Sequence, residues 1–215
     1  MKKVLVLLPL LLALQPISAL IDISVDGGYL TTTLTNNVLS SSTRGDGQGY
    51  IAHGSARIHF VAAELLKMGI GPDFGFGSQS MTFTAGTAST STQKAQRLGV
   101  DTHFEVQVVP IVKPYLRFRV GKEWLTNTST DSSGGLSTEL VTEYGALYYD
   151  MLLGATYPIF DYLSAYLQFG ATGGTLGQAT LKSYTVGGVS QPYSLAGQTY
   201  YYSGFVVSAG AMVTF

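Results

Sequence analysis

Cysteine is absent from the 215 residues, which removes disulfide staples, thiolate metal sites and a lipid-anchored cysteine from consideration. The fold must be held by its backbone ladder and by side-chain packing. Charge is scarce as well: Asp, Glu, Lys and Arg make up 12% of the chain, where soluble domains carry about 25%. A soluble β-protein of this length would be hard pressed to cover its surface with so few charged groups. The formal net charge of −1 supplies no basic field, so a nucleic-acid partner is excluded. Past the amino-terminal segment, no stretch approaches the roughly 18 consecutive apolar residues of a membrane helix. An exported soluble domain or a membrane β-barrel remains. No grouping of His, Asp and Glu has metal-ligand spacing, and no cofactor is expected.

What the chain does have begins at its amino end. Lys2 and Lys3 precede an apolar run from Val4 to Leu14, and Gln15, Pro16 and the small-residue site Ile17-Ser18-Ala19 follow. This is the pattern of a secretory signal peptide cut after Ala19. The run falls short of the roughly 20 apolar residues that a transmembrane helix needs. Residues 1–19 are therefore read as a signal peptide and 20–215 as one exported domain, whose formal charge falls from −1 to −3 once Lys2 and Lys3 are removed.

The 26 Gly, 14 Tyr and 10 Phe sit in segments whose chemistry alternates. Counting back from Phe215, the residues Val213, Ala211, Ala209, Val207 and Phe205 continue an apolar row, while Thr214, Met212, Gly210, Ser208, Val206 and Gly204 form a smaller and more polar one. A period of two over this length is a β-strand with one apolar face. Such patterning predicts eight strands, over residues 21–33, 48–62, 72–84, 97–109, 114–125, 141–157, 162–175 and 200–215. Compact connections at 63–71, 110–113 and 158–161 alternate with long polar ones at 34–47, 85–96, 126–140 and 176–199. That rhythm belongs to an up-and-down membrane barrel, with short periplasmic turns and long external loops. Residues 63–69 carry helix formers before a glycine and are read as one helical turn.

In six of the other strands the charges fall opposite the apolar row. Ile21, Ile23, Val25 and Tyr29 oppose Asp22, Ser24 and Asp26; Ala56, Ile58 and Phe60 oppose His53, Ser55, Arg57 and His59; Leu98, Val100 and Phe104 oppose Asp101, His103 and Glu105. Leu116, Phe118, Val120 and Trp124 oppose Tyr115, Arg117, Arg119 and Glu123; Leu147, Tyr149, Met151 and Leu153 oppose Tyr148 and Asp150; Leu163, Leu167 and Phe169 oppose Tyr166 and Gln168. The third strand breaks the rule, with Phe74 and Phe76 on one parity and Met81 and Phe83 on the other. A β-bulge between Gly77 and Met81 is expected to reconcile them.

Alternation alone does not say which face is outside, and a soluble eight-stranded barrel of lipocalin type reverses the arrangement. The kind of charge decides. Six of the seven lysines lie in the signal peptide, turns or loops, and the strand charges are mainly Asp, Glu and Arg. Trp124, Tyr157, Phe160 and Tyr162 also sit near strand ends, where aromatic girdles anchor a membrane barrel.

Placing an arginine on the lipid face at the midplane costs about 2–4 kcal/mol, so Arg57, Arg117 and Arg119 point inward. With Asp22, Asp26, His59, Asp101, His103, Glu105, Glu123 and Asp150 they make an interior charge network, in which Glu105 is expected opposite Arg117 or Arg119. An eight-stranded interior is just wide enough for side chains to fill, so the network reads as a plug. The competing reading is a narrow pore or proton path along Asp22, Asp26, His53, His59, Asp101, His103 and Asp150.

Two short motifs point elsewhere. His53-Gly54-Ser55 places a His and a Ser on one strand face, as acyl transfer requires, yet no acid is fixed to them and catalysis is not expected. Arg44-Gly45-Asp46, in the first long loop, spells an adhesion tripeptide that is equally ordinary turn chemistry.

On these features, the period-two strands, the signal peptide and the aromatic Phe215, residues 20–215 resemble the small eight-stranded outer-membrane β-barrel family that includes the OmpA-type transmembrane domain and the OmpX- and Opa-like surface barrels. The resemblance implies an all-β fold, an eight-stranded antiparallel up-and-down transmembrane β-barrel preceded by a cleaved signal peptide. It implies a location in the outer membrane of a Gram-negative bacterium and insertion by the barrel-assembly machinery, with Phe215 as assembly signal. It further implies a monomer surrounded by lipid and lipopolysaccharide, with four loops that meet a host or other extracellular ligand. The role it points to is structural or surface-interacting. A channel for small solutes and a lipid-A-modifying enzyme are the alternatives, and no catalytic residue is carried over.

Overall fold

Inside a bilayer every backbone N–H and C=O must find a partner, so period-two segments are stable there only as a closed ring. The computed structural model describes residues 20–35, 44–63, 65–83, 89–107, 111–133, 136–192 and 200–215, and it contains that ring. The expected signal peptide, with its cleavage site at Ala19, lies outside the described residues. Strands β1 (Leu20–Thr35), β2 (Arg44–Ala63), β3 (Leu66–Phe83), β4 (Ser89–Val106), β5 (Lys113–Ser133), β6 (Leu136–Phe160) and β7 (Leu163–Leu176) pair antiparallel with their chain neighbours. A short hairpin follows, of β8 (Thr180–Val186) and β9 (Val189–Ser190), before β10 (Tyr200–Thr214) closes the ring between β7 and β1. At the seam Phe215 N donates to the Ile21 carbonyl at 2.9 Å and Ile21 N returns a bond to Phe215 O at 3.3 Å.

Ile23, Val25, Ile58, Ile70, Phe74, Val100, Val120, Leu153, Leu167 and Phe169 are all exposed, and they lie on one outer surface that runs round the ring. A soluble monomer rarely exposes a continuous apolar patch above a few hundred Å², so this belt is the lipid-facing surface of a transmembrane barrel. Aromatics bound it at both ends: Tyr29, Tyr50, Trp124 and Tyr149 on the side of the long connections, and Tyr157, Phe160 and Tyr162 on the other. Phe160 and Tyr162 stack with centroids 5.9 Å apart.

Four expectations are corrected. The described residues of 63–69 hold no helical turn, since β2 reaches Ala63 and β3 starts at Leu66, with Lys67 and Met68 opposite Glu105 and Phe104. Two flanking ladders outweigh the helix propensity of Leu, Lys and Met, which tertiary pairing readily overrides. The segments read as loops are largely strand: β5 and β6 stay paired up to Ser133 and Leu136, and Arg44-Gly45-Asp46 belongs to β2. Their Ser, Thr and Asn residues look like loop formers, yet Thr suits a strand once a ladder partner is supplied. The 176–199 segment contains the β8–β9 hairpin, whose turn residues Gly187 and Gly188 have φ of 57° and 81°. Positive φ at both positions suits a two-residue turn that matches strand twist. β8 lies along the upper part of β6, with Tyr184 opposite Leu140, so β5, β6, β8 and β9 form a sheet that projects beyond the barrel.

Nor does β3 carry a bulge. Gly77 to Met81 pair residue by residue with Ile51 to Gly47 on one side and with Ala95 to Ser91 on the other. β3 holds a single parity: Asp73 and Met81 are buried inward with Phe83 packed beside Met81, while Phe74 and Phe76 are exposed. What changes along the strand is the solvent. Level with Phe74 and Phe76, the outer surface meets lipid and the lumen holds charge. Higher up, the outer row turns to Ser78, Ser80, Thr82 and Thr92, and the interior becomes a small apolar core of Leu34, Met81, Leu125, Ala146 and Leu176. Above the bilayer the barrel obeys the inside-apolar rule of a protein in water.

Candidate functional site

The inward parity of six strands, β1 to β6, gathers seven carboxylates (Asp22, Asp26, Asp73, Asp101, Glu105, Glu123 and Asp150), five cations (Arg57, Lys67, Arg97, Arg117 and Arg119) and the three histidines, all of them buried. Buried charge at this density persists only where each carboxylate faces a cation or a hydrogen-bond donor. The lumen satisfies that in three tiers. At the turn end, Asp22 engages His59 and, at 3.5 Å, the Lys67 ammonium. Glu105 lies 3.6 Å from His103, whose ring packs 4.5 Å from that of Tyr115.

The middle tier centres on Arg117. Its Nε donates to both Asp101 oxygens at 3.0 Å and its Nη2 to Asp101 Oδ2 at 2.6 Å. Further bonds reach Ser55 at 2.8 Å, Ser24 at 3.2 Å and Asp26 at 3.3 Å. Arg57 donates to the same Asp101 at 3.1 Å, while Arg119 bonds Asp26 and lies 3.3 Å from Asp73. In the upper tier, Arg97 donates to Glu123 at 2.7 Å and Asp150 at 3.3 Å and lies 4.7 Å over the Tyr148 ring. Hydroxyls complete the carboxylates there: Tyr202 to Glu123 and Thr172 to Asp150, both at 2.6 Å, and Tyr148 to Asp73 at 3.1 Å.

All eleven charged or histidine residues read from the sequence as interior are buried, but their pairing differs from the expected one. Glu105 stands opposite Tyr115 and meets His103, not an arginine; Arg117 stands opposite His103 and reaches Asp101 along the diagonal. The β4–β5 ladder ends at Glu105 and Tyr115, so the two strands meet in a different register from the one a 110–113 turn implies. A shift of two residues keeps every side chain on its face while exchanging its partners. His53, which the sequence places only in the pore path, belongs to the set as well, and three further members escape the sequence reading. Arg97 shares the parity of Asp101 four residues on, which is the signal that would have found it. Lys67 was assigned to a turn, and Asp73 to a strand thought to change face.

At the middle and upper tiers the free volume is small. Between Asp26, His53, Arg97, Arg119 and Asp150 the gap is too small for a water molecule. Above them a cavity of about 20 Å³, lined by Leu30, Ile51, Met81, Leu125 and Tyr202, has room for about one. Glycine makes this density attainable at Gly69, where a Cβ would fall 1.8 Å from the His59 ring that occupies the space.

The His53-Ser55 pair is divided among other partners. His53 Nδ1 is 2.9 Å from Asp73, whereas the Ser55 hydroxyl lies 2.8 Å from Ser24 Oγ and accepts from Arg117. In the Arg44-Gly45-Asp46 tripeptide, Arg44 and Asp46 are exposed and Gly45 is buried, and the two charged side chains are engaged, with Arg44 3.2 Å from Asp46 and the Thr33 hydroxyl donating to Asp46 at 2.9 Å.

A scan against protein-family models and a search of curated proteins find no match. Among solved structures, the outer membrane protease OmpT from Escherichia coli superposes with a TM-score of 0.51 and 11% identity, over 94% of this chain and 99% of that one. Neisserial surface protein A gives 0.45 at 16% identity over 90% of this chain and 97% of that one. OprG from Pseudomonas aeruginosa gives 0.42 at 12% over 90% and 95%. At such identities the likeness to OmpT shows the fold alone, that of an outer-membrane β-barrel.

Proposed function

We propose that this outer-membrane β-barrel is a plugged structural scaffold that presents a surface-interaction sheet outside the cell. The observation that carries the first half is the gap at Asp26, Arg97, Arg119 and Asp150, which admits no water. Carboxylates clamped by arginines at 2.6–3.3 Å would have to separate before an ion could pass, and each separation leaves buried charge unpaired. Proteoliposomes carrying the purified barrel are expected to swell no faster in small sugars than empty ones. A steady single-channel current that changes on Arg117→Lys would overturn the plug and favour a channel.

The second half draws on the projecting β5–β6–β8–β9 sheet, the largest ordered feature beyond the lipid belt among the described residues. Exposed loops and arms positioned by a rigid scaffold are where binding residues concentrate, and the edge of β8 beyond its short pairing with β9 offers backbone groups to an extended partner. Replacing residues 180–190 by a Gly-Ser linker is expected to abolish adherence of expressing bacteria to the surface they bind while leaving the amount of folded barrel in the outer membrane unchanged. Full adherence by that variant would locate the interaction elsewhere.

A further inference from the structure

One sector of the outer surface departs from the rest of the belt. On β5 the outward row climbs from Phe118 and Val120 to Lys122, then Trp124; on β4 it climbs from Val100 and Leu98 to Gln96, then Lys94. Lys122 pairs across to Leu98 on one side and Leu147 on the other, both exposed apolar side chains, so this ammonium starts within the belt. Trp124 is one rung higher, opposite Gln96 and Gly145, and Lys94 is one rung above that, opposite Thr126. Neither lysine has an ion-pair partner among the described residues, and the nearby Glu143 is held by Lys182 at 3.0 Å.

Beside the indole, an open groove of about 660 Å³ runs between Lys94, Gln96, Trp124, Glu143, Gly145 and Thr180. Its floor at Gly145 is clear, for a Cβ there would meet nothing within 4 Å. A lysine rooted in hydrocarbon extends its stem toward the headgroup layer and leaves its charge there. Two unneutralised ammonium groups flanking an aromatic face, above an apolar surface and beneath an overhanging strand, fit one kind of molecule. The ammonium groups match phosphate, the indole packs against the C–H face of a sugar ring, and Leu98, Val120 and Leu147 meet acyl chains.

We infer that the Lys94–Trp124–Lys122 sector binds the phosphorylated sugar headgroup of an outer-leaflet glycolipid. The assignment to the outer leaflet rests on the orientation in the proposed function, with the β8–β9 end outside the cell.

Trp124 is the chain's single tryptophan, so its fluorescence reports on this site directly. The full-length barrel in detergent is titrated with mixed micelles containing diphosphorylated lipid A, with the dephosphorylated lipid, and with inorganic phosphate alone. A saturable emission shift is expected with the first only. Each lysine near an anionic surface accounts for about fivefold in affinity, so Lys122→Gln weakens half-saturation about fivefold and Lys94→Gln with Lys122→Gln about 25-fold. Lys113→Gln, at the opposite end of the barrel, leaves it unchanged. Equal responses to the phosphorylated and dephosphorylated lipids, equal responses to free phosphate, or lysine variants that titrate like the parent would each overturn the site. An epitope inserted at Gly187-Gly188 and probed on intact cells tests orientation separately. A hidden epitope sinks the proposed function, whereas a displayed epitope with silent lysines sinks only the glycolipid site.

Discussion

Exchanging Arg117 for leucine is expected to cost the barrel about 3–5 kcal/mol, the range seen when one partner of a buried ion pair is removed. Arg117 joins Asp101 and Asp26, from opposite sides of the lumen, and bridges to Ser24 and Ser55. Its removal leaves seven buried carboxylates to four cations and opens a space that water reaches only from the ends. Leucine fills part of the volume and none of the hydrogen bonds. Arg117→Lys is expected to fall between parent and leucine variant, because an ammonium keeps the charge but cannot make the forked contact with Asp101. Urea titration in phospholipid vesicles, followed by the heat-dependent gel mobility of folded barrels, measures all three. Coincident midpoints would mean that the network fills the lumen without stabilising it.

Charge on the other face should act by a different route. Leu153 is exposed in the middle of the outward row of β6, level with Leu116 and Phe169 on the adjacent strands. Leu153→Arg places a guanidinium at the midplane of the bilayer, where it costs about 2–4 kcal/mol. Tyr157→Arg, on the same row beside the aromatic girdle, should cost about 0–1 kcal/mol. The depth dependence is the diagnostic, since a barrel whose outer face met water would tolerate both equally. Refolding yield into vesicles, compared for the two variants, gives the answer. Equal yields would contradict the lipid-facing assignment of the belt.

Much of this is legible in the sequence. The alternation of Leu116, Phe118 and Val120 with Tyr115, Arg117 and Arg119 is a local property of a pleated strand, and it assigns each residue to a face without knowledge of its neighbours. That is why the interior set, from Asp22 to Asp150, could be named. The partners could not, because Glu105 and Arg117 lie on strands whose register is set by where a hairpin closes, and a two-residue change leaves the pattern of faces untouched. Arg97 and Asp73 were overlooked for a related reason: each sits where the expected strand boundary or the expected bulge cut the periodic row.

Met81 and Phe83 hold the clearest lesson. Their parity reads as a defect in β3 only if a barrel has one inside-outside rule along its whole length. The sequence by itself determined that the chain alternates, that its apolar rows require a closed ring, and that charge concentrates on the inner face, since all three follow from period two and the cost of unpaired groups in hydrocarbon. The height at which lipid gives way to water, the pairing of Arg117 with Asp101, and the folding of β8 and β9 against β6 were decided by the tertiary structure. Each depends on residues far apart in the chain being brought level with one another, and ring closure, which sets that level, has no local signature.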